Sequence, residues 1–184
     1  MTQNRRQFIR VPIKSRILYA DEGHVFKSSL LNISIGGVFI ENLPHIPSVG
    51  IVPILFELPQ IPDFQTLSEK ELKRFDRESI ENSVLRMRVK TIRKEDVEST
   101  IDAVFDYGIG AEFIGDCLKQ KDLINSYVET MVGNIGFLIR LFQERKKSDH
   151  EIVLKICESM GYSIDLKYSQ LHQKVLKDYQ GMNW

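Results

Sequence analysis

Alternation of apolar and polar residues is the feature of this chain that most limits its possible folds. Between residues 13 and 114, apolar residues recur at every second position in five to seven short runs. This period of two is typical of β-strands that bury one face. Because long helical patterns are absent between most of the runs, they predict an antiparallel barrel or sandwich. In the clearest run, an apolar face alternates with a basic one: Leu85, Met87 and Val89 against Arg86, Arg88 and Lys90.

The strands are predicted at residues 13–19, 25–33, 38–40, 51–58, 85–90 and 101–114. The turn Asp21-Glu22-Gly23 joins the first two, and a polar turn at 94–98 precedes the last. Gly108-Ile109-Gly110 interrupts the last run. This region is predicted either as one strand with a glycine bulge or as two short strands.

An insertion separates the fourth and fifth runs. Its segment TLSEKELKRFDRESIENS offers a capping box at Thr66 and Glu69, followed by Leu72, Phe75 and Ile80 on roughly one face. We therefore expect a short surface helix in the insertion, at about residues 64–82.

The last third of the chain is predicted to be helical. In residues 119–145 the apolar positions are spaced 4, 3, 4, 3 and 4 apart, at Ile124, Val128, Met131, Ile135, Leu138 and Phe142. Gly133 and Gly136 lie inside this helix and each costs about 1 kcal/mol relative to Ala, so packing must hold it. Two more helices are predicted, the first stopped by Gly161 and the second at residues 166–179. The heptad positions could pack on the barrel, join subunits or dock a separate partner.

Net charge excludes some classes of ligand. Lys plus Arg and Asp plus Glu both number 25, so the formal net charge is zero. General binders of nucleic acids or anionic membranes carry a basic excess, so neither class is expected. The first 20 residues, however, hold five basic residues and no acid. Any anionic ligand must therefore be recognised locally.

The sequence also bears on the cellular compartment of the protein and on whether it is an enzyme. The N-terminus lacks a signal-peptide pattern, and no apolar run is long enough to span a membrane, which predicts a cytoplasmic protein. Cys117 and Cys157 form no metal-binding pattern and are predicted to be reduced thiols. The four histidines have no catalytic or zinc-binding spacing, so we expect no metal, no cofactor and no enzyme. In particular, no residue pattern indicates a general base.

Two short motifs occur in a fixed order. Arg5, Arg6 and Arg10 form RRxxxR, and Asn32-Ile33-Ser34-Ile35-Gly36-Gly37 has the form [DN]xSxxG. The segment Tyr107-Gly108-Ile109-Gly110-Ala111-Glu112-Phe113-Ile114 follows them. Together, over residues 5–118, these features resemble the PilZ domain family.

Residues 119–184 are predicted from their own helical pattern to be a C-terminal helical extension. The resemblance implies a six-stranded antiparallel β-barrel over residues 1–118, with an N-terminal arm at 1–12. It also implies a bacterial receptor for the second messenger cyclic dimeric GMP. By resemblance, Arg5, Arg6 and Arg10 clamp phosphates and guanines, while Asn32 and Ser34 bond a guanine edge. Gly37, with Gly36, would let the chain turn where a Cβ would collide. Arginine suits this ligand because its planar fork pairs with phosphate and with guanine O6 and N7.

The resemblance also bears on stoichiometry and mechanism. Arg5 directly precedes the RxxxR core. In similar proteins, an arginine at this place in the motif accompanies an intercalated ligand dimer, which predicts two ligands per site here. Rearrangement of the arm would relay binding to an unidentified protein partner, and the C-terminal helices could form a homo-oligomer. The controlled process could be motility or biofilm formation, among others, and the sequence does not distinguish them. The alternative is a PilZ-like structural adaptor that acts through protein contacts without nucleotide.

Overall fold

Six β-strands form a closed antiparallel barrel. The computed structural model describes residues 7–48, 50–96, 107–115, 117–144 and 150–182. Neighbouring strands follow the order β1-β2-β3-β6-β5-β4, and β4 pairs again with β1. The predicted six-stranded antiparallel barrel is therefore confirmed. The strands are β1 (Val11–Asp21), β2 (His24–Ser34), β3 (Gly37–Leu43), β4 (Ile51–Pro59), β5 (Asn82–Asp96) and β6 (Tyr107–Ile114).

The barrel interior follows the alternation of the sequence. Apart from the irregularities in the strand ladders, inward and outward side chains alternate where they are described, and the inward set is almost entirely aliphatic or aromatic. The first hairpin closes at Glu22 and Gly23, whose φ angles of 49° and 79° are those of a type I′ turn. The largest fully buried side chains of the barrel include Tyr19, Phe56, Ile13, Ile17, Leu30, Ile33, Ile40, Ile54 and Ile109.

The last two strands differ from their prediction. Strand β5 continues to Asp96, which pairs with Tyr107, so the turn predicted to begin at residue 94 is wrong for residues 94–96. Cross-strand backbone bonds form irrespective of side-chain polarity, which explains why this polar segment is a strand. The shift in the β5–β6 ladder lies at Ile92, opposite the predicted glycine bulge in β6. Residues 97–106, including the start of the predicted sixth run, lie outside the described residues.

The insertion between β4 and β5 contains the predicted short helix. Helix α1 (Glu69–Arg74) is one and a half turns long and lies between 3₁₀ turns at Phe64–Thr66 and Arg77–Ser79. The capping box is formed by Ser68 and Glu71, so its predicted placement at Thr66 and Glu69 is wrong. Thr66 instead bonds the carbonyl of Asp63 inside the first 3₁₀ turn. The two hydrogen bonds from Ser68 lower the pKa of the Glu71 carboxyl.

Three helices complete the chain: α2 (Leu118–Glu144), α3 (His150–Ser159) and α4 (Tyr168–Met182). They confirm the predicted helical extension, and Gly161 ends the α3 segment with a φ of 84°. Phe142 of α2 contacts Tyr168 and His172 of α4, with ring centroids 4.9 and 4.7 Å apart. Residues 145–149, which join α2 to α3, lie outside the described residues. All six heptad positions of α2 are buried within the single chain.

The chain divides into two compact units. The barrel unit contains Pro12–Leu58 and Asn82–Asn125, and the helical unit contains Pro59–Glu81 and the chain from Ser126 onward. The N-terminal segment up to Val11 groups with the helical unit. In this division the insertion belongs to the same unit as the C-terminal helices. The division also places Arg10 and the β2–β3 motif in different units.

Both cysteines are free thiols, as predicted. Cys157 is buried in the helical unit, and burial raises the pKa of its thiol to about 12. Cys117 is half-buried, directly before α2.

Candidate functional site on the barrel surface

The [DN]xSxxG motif forms the hairpin between β2 and β3. Ser34 and Gly37 are paired across the hairpin, with Ile35 and Gly36 as its two loop residues. The buried Ser34 hydroxyl donates to the carbonyl of Gly37 and accepts from its N–H, both at 3.2 Å. The Gly36 carbonyl accepts from the N–H of Phe113 at 2.9 Å. The motif therefore forms a hairpin, and its serine, Ser34, stabilises the hairpin by these two hydrogen bonds.

A bulge in β2 determines where Asn32 points. Leu30 pairs with Ile40, but Asn32 pairs with Phe39, so Leu31 is an extra residue in the ladder. Leu30 faces the interior, and a regular strand would therefore turn Asn32 inward as well. The bulge instead brings Asn32 to the outer face, in phase with Ser34. The Leu-Leu-Asn sequence at 30–32, which breaks the alternation, is the signal for this bulge.

Gly37 is required by a close approach between strands. A Cβ built at Gly37 would lie 2.2 Å from the carbonyl oxygen of Ala111 on β6, far inside van der Waals contact. Because the obstacle is backbone, it cannot move aside as a side chain could. The glycine of the motif therefore sets the spacing of β3 and β6 in the barrel wall.

Beside the motif, the outer face of β6 carries the buried Gly110 and the exposed Glu112, and the outer face of β5 is basic. The register places Gly110 opposite Phe39, and Glu112 opposite Gly37. On the far side of β6, Lys90 of β5 lies opposite Glu112. Arg86, Arg88 and Lys90 are all exposed, as the alternation predicts. The outer face next to the hairpin therefore combines glycine backbone, one carboxylate and a basic strand.

The arginine motif is described only in part. Arg10 is half-buried and directly precedes β1, whereas Arg5 and Arg6 lie outside the described residues. The structure thus brings Asn32, Ser34, Gly36 and Gly37 together on one hairpin. The three arginines are connected to it through the sequence alone.

A buried polar cluster at one end of the barrel was not predicted. The carboxylate of Asp21, which is 2% exposed, bonds His45 Nε2 at 3.0 Å and the N–H of Ser48 at 2.8 Å. The Tyr19 hydroxyl donates to the His45 carbonyl, and desolvation raises the pKa of that phenol. Because Asp21 holds both His45 and Ser48, the cluster anchors the connection from β3 to β4. The Asp21 carboxylate thus fixes the position of the His45 ring.

The described residues show neither a metal site nor a membrane-spanning helix. Among residues 7–48, 50–96, 107–115, 117–144 and 150–182, no group of His, Cys, Asp or Glu is arranged to hold a metal ion. In that same part of the chain, none of the helices combines the length and apolarity needed to cross a membrane.

Comparison with known proteins identifies the family. The PilZ domain family matches residues 4–130, which is more than half of the chain. The chain therefore belongs to the PilZ domain family, as its motifs indicated. A comparison with curated proteins gives no significant match.

Solved structures with a similar fold include the Bacillus subtilis inhibitor of motility MotI/DgrA, at 12% identity and a TM-score of 0.49. That match covers 77% of this chain and 54% of MotI/DgrA, so the chain spans about half the length of that protein. The PilZ domain of Escherichia coli YcgR with c-di-GMP matches at 10% identity and a TM-score of 0.48, over 77% of this chain and 99% of that domain. The Borreliella burgdorferi PlzA protein in complex with c-di-GMP has 9% identity and a TM-score of 0.42, with coverages of 74% and 53%.

Proposed function

We propose that this protein is a receptor for cyclic dimeric GMP and acts by binding rather than by catalysis. The observation that carries the proposal is the β2–β3 hairpin of a PilZ family member, which presents Asn32 and Ser34 on one face. In this family the resemblance implies that such a hairpin, together with an arginine arm, binds the dinucleotide. Both motifs occur intact in this chain. They favour the receptor over the alternative, a structural adaptor without nucleotide.

The hairpin would read a guanine. The amide oxygen of Asn32 can accept from guanine N1–H or N2–H₂. A hydroxyl has one donor and two acceptor lone pairs, and Ser34 uses one of each on Gly37. One lone pair is left to accept a guanine N–H, so Ser34 can hold the hairpin and contact the ligand together.

The arm would supply the positive charge. Arg5, Arg6 and Arg10 pair with the phosphates and with the acceptor edges of the guanines. Hydrogen bonds to charged groups contribute about 1.5–3 kcal/mol each. Since the arm begins next to β1, ordering it over the ligand would change the surface offered to a protein partner. This relay is part of the proposal.

Arg5 leads us to propose two ligands per site, bound as an intercalated dimer. Isothermal titration calorimetry at saturation tests this directly. Two equivalents per chain support the dimer, and one equivalent contradicts it.

Calorimetry on the full chain also tests the receptor proposal. Wild-type protein should bind cyclic dimeric GMP at micromolar concentrations. Arg6→Ala and Arg10→Ala should each weaken binding about tenfold or more, as loss of a charged hydrogen bond implies. Arg74→Ala is a matched control, because Arg74 is exposed on α1, outside both motifs. No heat with wild type, or unchanged affinity in Arg6→Ala, would favour the adaptor.

Self-association through the C-terminal helices is a separate proposal. The heptad positions of α2 are covered within the chain, so an interface between copies would use other helical faces. Light scattering on the full chain, with and without nucleotide, tests it. A monomer under both conditions would contradict a homo-oligomer.

A further inference from the structure

A row of four residues crosses the outer face of the barrel beside the proposed nucleotide site. Ser34 pairs with Gly37, Gly37 with Glu112, and Glu112 with Lys90. Directly opposite residues in an antiparallel pair have Cβ atoms about 4.5–5.5 Å apart. Glu112 is therefore two strands from Ser34, with only a glycine between them.

The position of Glu112 leaves its carboxylate accessible from the hairpin side. Its neighbour on β3 is Gly37, which has no side chain, and Gly110 precedes it on the same face of β6. Glu112 is exposed, and among the described residues it has no ion-pair partner within 4 Å. A flat ring lying over the partly exposed backbone of Gly37 would present its edge to the carboxylate.

Guanine has the edge that a carboxylate suits. Its N1–H and N2–H₂ are adjacent donors, and the two oxygens of an ionised carboxylate accept both. Arginine has donors only, so the arm cannot read this edge. Asn32 offers a single amide oxygen and no charge, whereas Asp, the other residue type of this motif position, would carry a charge. A second acceptor group on the same face would supply the charge that Asn32 lacks.

Lys90 offsets the negative charge of Glu112. The ligand carries two phosphates, and an isolated carboxylate would repel them. Lys90 is exposed directly across from Glu112, with Arg88 two residues away on the same face of β5. The charge of this part of the outer face is therefore net positive, and Glu112 adds direction without making the site anionic.

We propose that Glu112 is a specificity-determining residue that accepts hydrogen bonds from N1–H and N2–H₂ of a guanine in the bound dinucleotide. This inference rests on the proposed function and deepens it. It predicts discrimination against adenine, whose N1 is an acceptor that faces the carboxylate unfavourably, and against hypoxanthine, which lacks the N2 amine.

The test combines one isosteric substitution with three ligands. Calorimetry on the full chain measures the affinity of wild type and Glu112→Gln for cyclic dimeric GMP, cyclic dimeric IMP and cyclic dimeric AMP. We expect Glu112→Gln to weaken cyclic dimeric GMP by about tenfold, the discrimination typical of one good bidentate contact to a base. Cyclic dimeric IMP should lose markedly less, and the preference for guanine over adenine should shrink.

Glu57→Gln is the matched control, since Glu57 is an exposed glutamate on β4, and it should leave all three affinities unchanged. An affinity of Glu112→Gln for cyclic dimeric GMP equal to that of wild type would overturn the inference. An equal loss of affinity for cyclic dimeric GMP and cyclic dimeric IMP would also overturn it, because Glu112 would then make no hydrogen bond to the N2 amine. In both cases wild type still binds and the receptor proposal stands. Absence of binding by wild type would overturn the receptor proposal and this inference with it.

Discussion

The side-chain oxygen of Asn134 accepts a hydrogen bond from the backbone N–H of Phe64 at 2.9 Å. The same amide donates to the carbonyl of Pro62, also at 2.9 Å. Asn134 is fully buried in the middle of α2, 70 residues along the chain from its partner. One side chain thus satisfies both a backbone donor and a backbone acceptor of the insertion. This contact holds the insertion on α2 within the helical unit.

Asn134→Ala should destabilise the helical unit by about 2–4 kcal/mol. The substitution leaves a buried N–H and a carbonyl without partners, and each unsatisfied group costs about 1–3 kcal/mol. Urea denaturation followed by circular dichroism measures the change. Gln143→Ala, at an exposed position of the same helix, should change the free energy of unfolding by less than about 0.5 kcal/mol. A similar loss in both variants would contradict the role given to Asn134.

The two glycines of α2 should respond differently to alanine. Nothing lies within 4 Å of a Cβ at Gly136, so Gly136→Ala should stabilise the protein by about 0.5–1 kcal/mol through helix propensity. A Cβ at Gly133 would lie 2.6 Å from Nε2 of Gln65 in the insertion. Gly133→Ala should therefore gain less or lose stability, because Gln65 must move.

The double substitution Gly133→Ala with Gln65→Ala separates these effects. Removing the long side chain should restore the gain that Gly136→Ala shows alone, as measured by thermal unfolding. Should Gly133→Ala be as stabilising as Gly136→Ala in the presence of Gln65, the close approach has no energetic consequence.

Gly37→Ala should destabilise the barrel by about 1–3 kcal/mol or more, the usual range for overpacking. The added methyl group meets the backbone carbonyl of Ala111 at 2.2 Å, so β3 and β6 must separate. Differential scanning calorimetry measures the shift in melting temperature. Gly50→Ala is the control, since a Cβ there has open space. An unshifted melting temperature in Gly37→Ala would show that the two strands adjust freely.

The two thiols should differ in reactivity toward a disulfide reagent. The thiolate is the reactive form, and burial both covers Cys157 and raises its pKa to about 12. At pH 8 the native protein should release about one equivalent of chromophore rapidly, from the half-buried Cys117. The second equivalent should follow only on unfolding. Cys117→Ser should abolish the fast phase, and a fast phase that persists would contradict this assignment.

The barrel could be predicted because its alternation is strong and its motifs are specific. Positions set by strand pairing could not. Whether Asn32 faces outward depends on a single extra residue, Leu31, that propensity alone does not reveal. The polar residues at 94–96 are strand because β6 lies beside them, which a local pattern cannot anticipate.

The same distinction applies to the insertion and the helices. A helix was predictable from its capping pattern, but Ser68 competes with Thr66 for the cap two residues away, and the folded chain selects Ser68. From the sequence alone, Gly133 only lowers the stability of the helix. The structure shows that a Cβ at this position would meet the side chain of Gln65, which lies 68 positions earlier. Such distant contacts leave no local pattern in the sequence. The outer-face row through Glu112 likewise exists only once the register of three strand pairs is known.

The hydrogen bond between Asn134 and Phe64 affects how the protein can be truncated. The backbone N–H of Gln60 donates to the carbonyl of Glu81 at 2.8 Å, so the insertion leaves and rejoins the barrel at a single point. A fragment cut after the last strand would keep all six strands but would strip Phe64 and Leu72 of the helices that share their unit. No single cut therefore yields a minimal barrel fragment. Such a fragment requires a second edit that replaces the insertion with a short turn joining Pro59 to Asn82.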